Sequence, residues 1–134
     1  MGPEQALLVV TAAHLGFQLT VSAVVYPALA DVADDLWPRA HAAHSRRIAA
    51  LVVLVYGALL LVLGWALVVL PLGTGLVLAV CGSGSSLLTT VAVAAPTHGR
   101  LGGGRTPELV RRLLRADRVR TVGATVALVG ALLV

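Results

Sequence analysis

A run of uncharged, mostly apolar residues at positions 6–27 is the feature that most restricts how this chain can fold. About 20 consecutive apolar residues are enough for a helix to cross the hydrocarbon core of a bilayer. Single polar side chains interrupt the run, and His14 lies near its middle. We therefore expect a membrane-spanning helix here rather than the core of a soluble domain.

Four polar residues of this run recur at helical spacing and share one face of the predicted helix: Thr11, His14, Gln18 and Ser22. Ionisable side chains within a membrane usually face a bundle interior or a wet cavity, because their exposure to lipid is costly. We expect the other helices to pack around this stripe. His14 is then a catalytic group, a proton-relay residue or a core histidine bonded to a neighbouring hydroxyl, and the sequence leaves these roles open.

The composition favours one integral membrane domain over residues 1–134. Hydrophobic residues make up 58% of the chain and charged residues only 12%, which is too few for the surface of a soluble domain. Pro96 and the glycine-rich segment 99–106 predict the end of a helix and a mobile loop. The predicted fold is all-α, with four transmembrane helices in an up-down bundle at about residues 4–30, 36–70, 74–95 and 107–134.

The ten basic residues, all arginines, lie within positions 39–47 and 100–120, on one side of the four-span arrangement. Basic residues collect on the cytoplasmic side of membrane proteins, so both termini are expected on the non-cytoplasmic side of a multi-pass cell-membrane protein. Arg118 and Arg120 are expected to reach the headgroups, which leaves Asp117 as the single inward charge of the last helix. Arginines that border apolar spans indicate membrane lipid, not nucleic acid, as a partner.

Three further histidines mark the predicted cytoplasmic end of the bundle. His41 and His44 share one face of the second helix with Trp37, and His98 begins the next connection at a similar level. Imidazole is the commonest side-chain ligand for copper, iron and zinc. The sequence thus predicts a metal site of these three histidines, with copper or iron as the candidate metal and Asp117 beside it. The alternative is that these histidines simply lie among the lipid headgroups.

The remaining candidates are assigned by position. His14, Asp117 and Tyr26 are the candidate catalytic residues. The candidate substrate contacts are Gln18, Ser22, Trp37 and Arg115. Aromatic anchoring at the membrane surface is the other interpretation of the tyrosine and the tryptophan. The chain has no nucleophile triad, phosphate loop or zinc-protease motif, so hydrolase and nucleotide-driven functions have no support.

Short motifs recur in a characteristic order along the chain. The first span ends in YPAL, the second begins WPRAHAAHSRR, the third ends PTHGRL and the fourth opens PELVRRLLRADRVRT. This order resembles the small four-span proteins grouped with the anthrone oxygenases, and the likeness covers most of the chain. The resemblance implies oxidation of a lipophilic, polycyclic substrate by dioxygen, with or without a metal.

Two functions therefore stand as predictions. One is a membrane oxidoreductase that holds a lipophilic small molecule between its helices. The other is a non-enzymatic bundle, either a small oligomeric transporter or an assembly partner. In that second case the polar stripe of the first helix is the working part, and the small-residue face around Gly82 and Ser86 joins copies of the chain.

Overall fold

The computed structural model describes residues 1–134 and is all-helical, as predicted. Three helices are long and apolar enough to cross a membrane, namely α1 (Pro3–Ala30), α2 (Trp37–Val69) and α3 (Thr74–Leu101). The fourth helix, α4 (Pro107–Leu132), begins at a proline, and the Thr106 side chain caps it by accepting a hydrogen bond from the Leu109 amide. Only α3 departs clearly from the expected ranges.

Wide π-helical turns allow α1 and α3 to continue through prolines. These turns are Val21–Val25 and Thr90–Ala94, and each lies just before a proline, Pro27 or Pro96. Proline has no N–H to bond the preceding turn, and a wider turn accommodates that missing donor without ending the helix. The prediction that Pro96 ends the third helix is therefore wrong. His98 lies within α3, and the glycine-rich loop is correspondingly short.

Glycines bring α3 and α4 into backbone contact. A methyl group on Gly82 would lie 2.5 Å from the Gly123 carbonyl oxygen, and one on Gly75 would lie 2.7 Å from the Leu133 carbonyl carbon. Helices approach this closely where small residues such as glycine line the contact. The small-residue face of α3 is thus occupied inside the chain and is not free to form the interface between copies that the sequence led us to expect.

The polar stripe of α1 faces the interior, which confirms that prediction. Thr11, His14 and Gln18 are completely buried, and Ser22 is half-buried. Along α1 these residues lie between two apolar clusters. One cluster surrounds Leu7. The other is formed near the ends of the remaining helices, and Tyr26 packs against it. The bundle therefore has a polar layer between two apolar ones.

Candidate functional site

A cavity of about 780 Å³ opens at the end of the bundle that holds the histidines. It lies between the last turns of α1 and α3 and the first turns of α2 and α4. Much of its lining is apolar, with Leu29, Leu101 and Leu113 among the contributing residues. Its polar and aromatic lining comprises Ser22, Tyr26, Asp34, Trp37, His41, His98, Arg105 and Arg111. The mixture of an apolar lining and a few polar groups is typical of small-molecule sites.

Stacked aromatic rings form one wall of this cavity. The ring centres of Trp37 and His41 are 5.2 Å apart with their planes inclined by 30°, and those of His41 and His98 are 5.7 Å apart with their planes inclined by 24°. The ring centre of Tyr26 lies 6.1 Å from that of His98. The wall therefore presents flat surfaces, a phenol and imidazole nitrogens toward one space.

Hydrogen bonds across the connections hold this wall in place. The Trp37 indole Nε1–H donates to the Leu101 carbonyl at 3.0 Å. The Arg105 guanidinium lies 4.9 Å from the centre of the Trp37 ring and donates to the Ala30 carbonyl at 3.2 Å and to the Asp34 carboxylate at 2.5 Å. The connection between α1 and α2 is thereby tied to the connection between α3 and α4.

The three histidines predicted to act together do form one cluster. His98 Nδ1 and His41 Nε2 are 3.4 Å apart, a distance at which one nitrogen donates to the other. The His44 ring centre lies 5.7 Å from that of His98 and 6.5 Å from that of His41, and its Nε2 is buried without a hydrogen-bond partner. Extension of α3 through its proline is what brings His98 to the α2 pair.

The cluster has the imidazole nitrogens that can bind copper or iron, but the three rings are not arranged around one ion. Metal–nitrogen bonds of about 2.1 Å put the centres of three imidazoles on one ion roughly 5 Å apart. The observed separations are 5.7 to 6.5 Å, and no three His, Cys, Asp or Glu side chains are placed to hold an ion together. A metal would need small ring rotations that replace the contact between His41 and His98.

A buried ionic network lies beside the cavity. The Ser22 hydroxyl lines the cavity and donates to the Asp117 carboxylate at 2.5 Å. Arg120 lies 4.0 Å from the other Asp117 oxygen, and its Nη2 donates to the Gln18 Oε1 at 2.7 Å. Arg120 is only 4% exposed, so the prediction that it reaches the headgroups is wrong. The carboxylate and the amide oxygen offset its burial, and Asp117 is not the single inward charge.

A second network surrounds His14, deeper in the bundle and outside the cavity lining. His14 Nε2 is 3.2 Å from the Ser86 hydroxyl, which is 3.0 Å from the Tyr56 hydroxyl. Tyr56 continues to Thr90 at 2.9 Å, and its ring lies edge-on to the His14 ring at 5.0 Å. The His14 Nδ1 is buried without a partner. One ring nitrogen of the buried His14 is therefore bonded to Ser86, and the other has no partner.

The structure separates the sequence candidates into groups. Tyr26, Ser22 and Trp37 line the cavity, whereas His14, Gln18, His44 and Asp117 do not. Arg115 is exposed and lines a different surface groove. The sequence reasoning missed Tyr56, and a phenol in the middle of an apolar span is the signal that could have found it. The i,i+3 spacing of Asp117 and Arg120 does favour the ion pair that the structure shows, but not the burial of Arg120.

No family model, curated protein or solved structure matches this chain at a significant level.

Proposed function

We propose that this chain is an integral membrane oxidoreductase of the oxygenase type, acting on a lipophilic small molecule held in the cavity beside the histidines. The observation that carries the proposal is the cavity itself, which joins an apolar lining to Tyr26, His41 and His98. Its volume, about 780 Å³, lies within the range of roughly 300–1,000 Å³ typical of small-molecule sites. The resemblance to the anthrone oxygenase group supports oxidation by dioxygen.

The proposal includes a membrane orientation. We place α4 as the fourth span of an up-down bundle in the cell membrane, with both termini on the non-cytoplasmic side. The support is that every arginine lies near the end of the bundle that contains the cavity or in α4 no further along than Arg120. The cavity then opens at the cytoplasmic side, where a substrate can enter from the bilayer or from the mouth of the bundle.

Ser22 and Asp117 provide a route for a proton out of the cavity. The Ser22 oxygen takes a proton from the substrate while the Ser22 hydroxyl proton passes to the Asp117 carboxylate, to which it already points. Arg120 balances the negative charge of Asp117 before that transfer. Tyr26 and His98, both on the cavity wall, orient a polar group of the substrate. Loss of the proton leaves an electron-rich anion, one carbon of which adds dioxygen. The proton returned from Asp117 gives a hydroperoxide, and this loses water, so that one oxygen atom stays in the product as a carbonyl and the other leaves as water.

The three clustered histidines would hold copper or iron in a metal-dependent form of this enzyme. Such a metal would supply activation of dioxygen next to the cavity. The proton route through Ser22 and Asp117 serves either form, because it ends on a carboxylate that lies outside the histidine cluster.

The metal-dependent form predicts about one copper or iron per purified chain, measured by elemental analysis. Substitution His44→Ala is expected to lower metal affinity at least about tenfold, because it removes one of three imidazoles. His14→Ala is the matched control, since His14 is buried away from the cluster, and it should keep the metal. Equal metal content in all three proteins would contradict the site, and its absence from all of them would leave the cofactor-free form.

A variant that obstructs the cavity tests the enzyme proposal. Leu114→Trp places an indole in the cavity lining, and we expect the KM for a lipophilic substrate to rise at least about tenfold because the bulk must be accommodated. The measurement is oxygen uptake by the purified chain in nanodiscs with a panel of polycyclic phenols. Leu88→Trp, at a position 70% exposed on the outside of α3, is the control. No uptake with any member of the panel, or equal effects of both variants, would contradict the proposal.

The second candidate is the non-enzymatic bundle, a small oligomeric transporter or an assembly partner in which His14 relays protons. Its support is the buried, unpaired nitrogens of His14 and Gln18. Proton flux into liposomes, followed with a trapped pH dye, separates the two functions. Flux that His14→Ala abolishes, without oxygen uptake, would favour this candidate over the enzyme.

A further inference from the structure

The outside of the bundle has a second feature, which lies apart from the cavity and rests on the proposed function only through the placement of α4 in the membrane. Two depressions of about 630 and 390 Å³ follow each other between α3 and α4, and both are lined by Val119. On the α3 side they are bordered by residues spaced four apart, from Cys81 to Val93. On the α4 side the border runs from Glu108 to Val126. They form one continuous surface, called here the α3/α4 groove.

One end of the α3/α4 groove is strongly basic. Arg111, Arg112 and Arg115 line it. Glu108 is the one carboxylate there, and Arg111 already binds it at 2.7 Å. Neither Arg112 nor Arg115 takes part in an ion pair, and both are exposed. Two free guanidinium groups, one helical turn apart, are therefore available to an anion.

The other end of the groove is shallow and mostly apolar, and Arg118 is the one charged residue on its border. Val119 is 50% exposed and Val122 is 63% exposed, so both present apolar surface outward. Gly82 and Gly123 line the floor, where the backbones of α3 and α4 are in direct contact. Fourteen residues separate Arg112 from Val126, which is about 21 Å along a helix. That length exceeds half of the hydrocarbon core, about 15 Å, by enough to include a phosphate group.

We propose that the α3/α4 groove binds one anionic glycerophospholipid. The headgroup phosphate lies at Arg112 and Arg115, whose planar guanidinium groups match phosphate oxygens. One acyl chain follows Val119 and Val122 over the two floor glycines. A soluble phosphate compound would use only the basic end, and a neutral lipid only the apolar end, so an anionic lipid is the ligand that fits both. A bound lipid of this kind would also fasten α3 against α4, the helix that carries Asp117 and Arg120.

Lipid titration of the full-length chain in detergent tests this proposal. The probes are dioleoyl phosphatidylglycerol and dioleoyl phosphatidylcholine, with adducts counted by native mass spectrometry. We expect tighter binding of the anionic lipid than of the neutral one. The variant Arg112→Gln/Arg115→Gln should bind the anionic lipid about 30-fold more weakly, because each of the two arginines contributes a similar part of the binding free energy. Arg39→Gln/Arg46→Gln removes the same charge from exposed positions of α2 and should bind within about twofold of the unchanged protein.

Three results would overturn the proposal. Equal weakening by the two arginine pairs would mean general attraction to charge. Glycerol phosphate bound as tightly as the dioleoyl lipid would mean a headgroup site without a role for the apolar end. Equal affinity for both lipids in the unchanged protein would mean no anion selectivity. Dihexanoyl phosphatidylglycerol provides a second test that needs no variant, because its short chains should bind at least about tenfold more weakly than dioleoyl chains.

Discussion

Replacement of Arg120 by methionine is expected to lower the free energy of unfolding by about 3–5 kcal/mol, the range found when one partner of a buried ion pair is removed. Arg120 is 4% exposed and Asp117 is 5% exposed, so the remaining carboxylate has little access to water. The Gln18 Oε1 also loses its donor. The measurement is reversible unfolding in mixed micelles, followed by tryptophan fluorescence.

The matched control is Arg118→Met, which removes an arginine from an exposed position of the same helix. It should change the free energy of unfolding by no more than about 0.5 kcal/mol. The double variant Asp117→Asn/Arg120→Met removes both charges and should be less destabilised than the sum of the two single variants. Similar losses for Arg120→Met and Arg118→Met would show that the buried network does not stabilise the fold.

Periodicity in a single helix was enough to predict the polar layer. Thr11, His14 and Gln18 recur at helical spacing within an apolar run, and burial of such a stripe follows from the energetics of polar groups in a membrane. The same reasoning put His41 beside Trp37, and the two rings do stack. These features depend on one helix each, so no knowledge of neighbouring helices was needed.

Contacts between helices were harder to predict, because register across helices is not visible in one sequence. Arg120 was assigned to the headgroups because arginines usually reach them. Its burial depends on Gln18, which lies 102 positions away along the chain. Gly82 was correctly marked as a close-contact residue, but its partner is α4 and not another copy.

One error arose from a local rule that the structure overrides. Pro96 predicts the end of the third helix, yet the π-helical turn Thr90–Ala94 carries α3 past it. Had the helix ended there, His98 would lie on a loop. A rigid helix instead fixes the His98 ring 5.7 Å from the His41 ring and against the cavity.

Substitution Ser22→Ala is expected to lower the kcat for substrate-dependent oxygen uptake by about 10²–10⁴-fold, the usual contribution of a positioned proton-transfer group. Ser22 is the residue that both lines the cavity and bonds Asp117, so its loss separates the carboxylate from the substrate. The KM should change little, because the hydroxyl takes part in the proton transfer and not in binding the apolar part of the substrate. Ser22→Thr keeps a hydroxyl and should restore much of the rate.

Thr20→Ala is a closely matched control for that experiment. The Thr20 hydroxyl donates to the carbonyl four residues before it at 2.9 Å, and the Ser22 oxygen lies at a similar distance, 3.0 Å, from the carbonyl four residues before it. Each variant removes a hydroxyl that lies beside the carbonyl one turn earlier in α1, and only Ser22→Ala removes a hydroxyl whose proton points to Asp117. A fall in kcat that appears in both variants would assign the effect to the helix. A fall confined to Ser22→Ala, recovered by threonine, would support proton transfer from the cavity to Asp117.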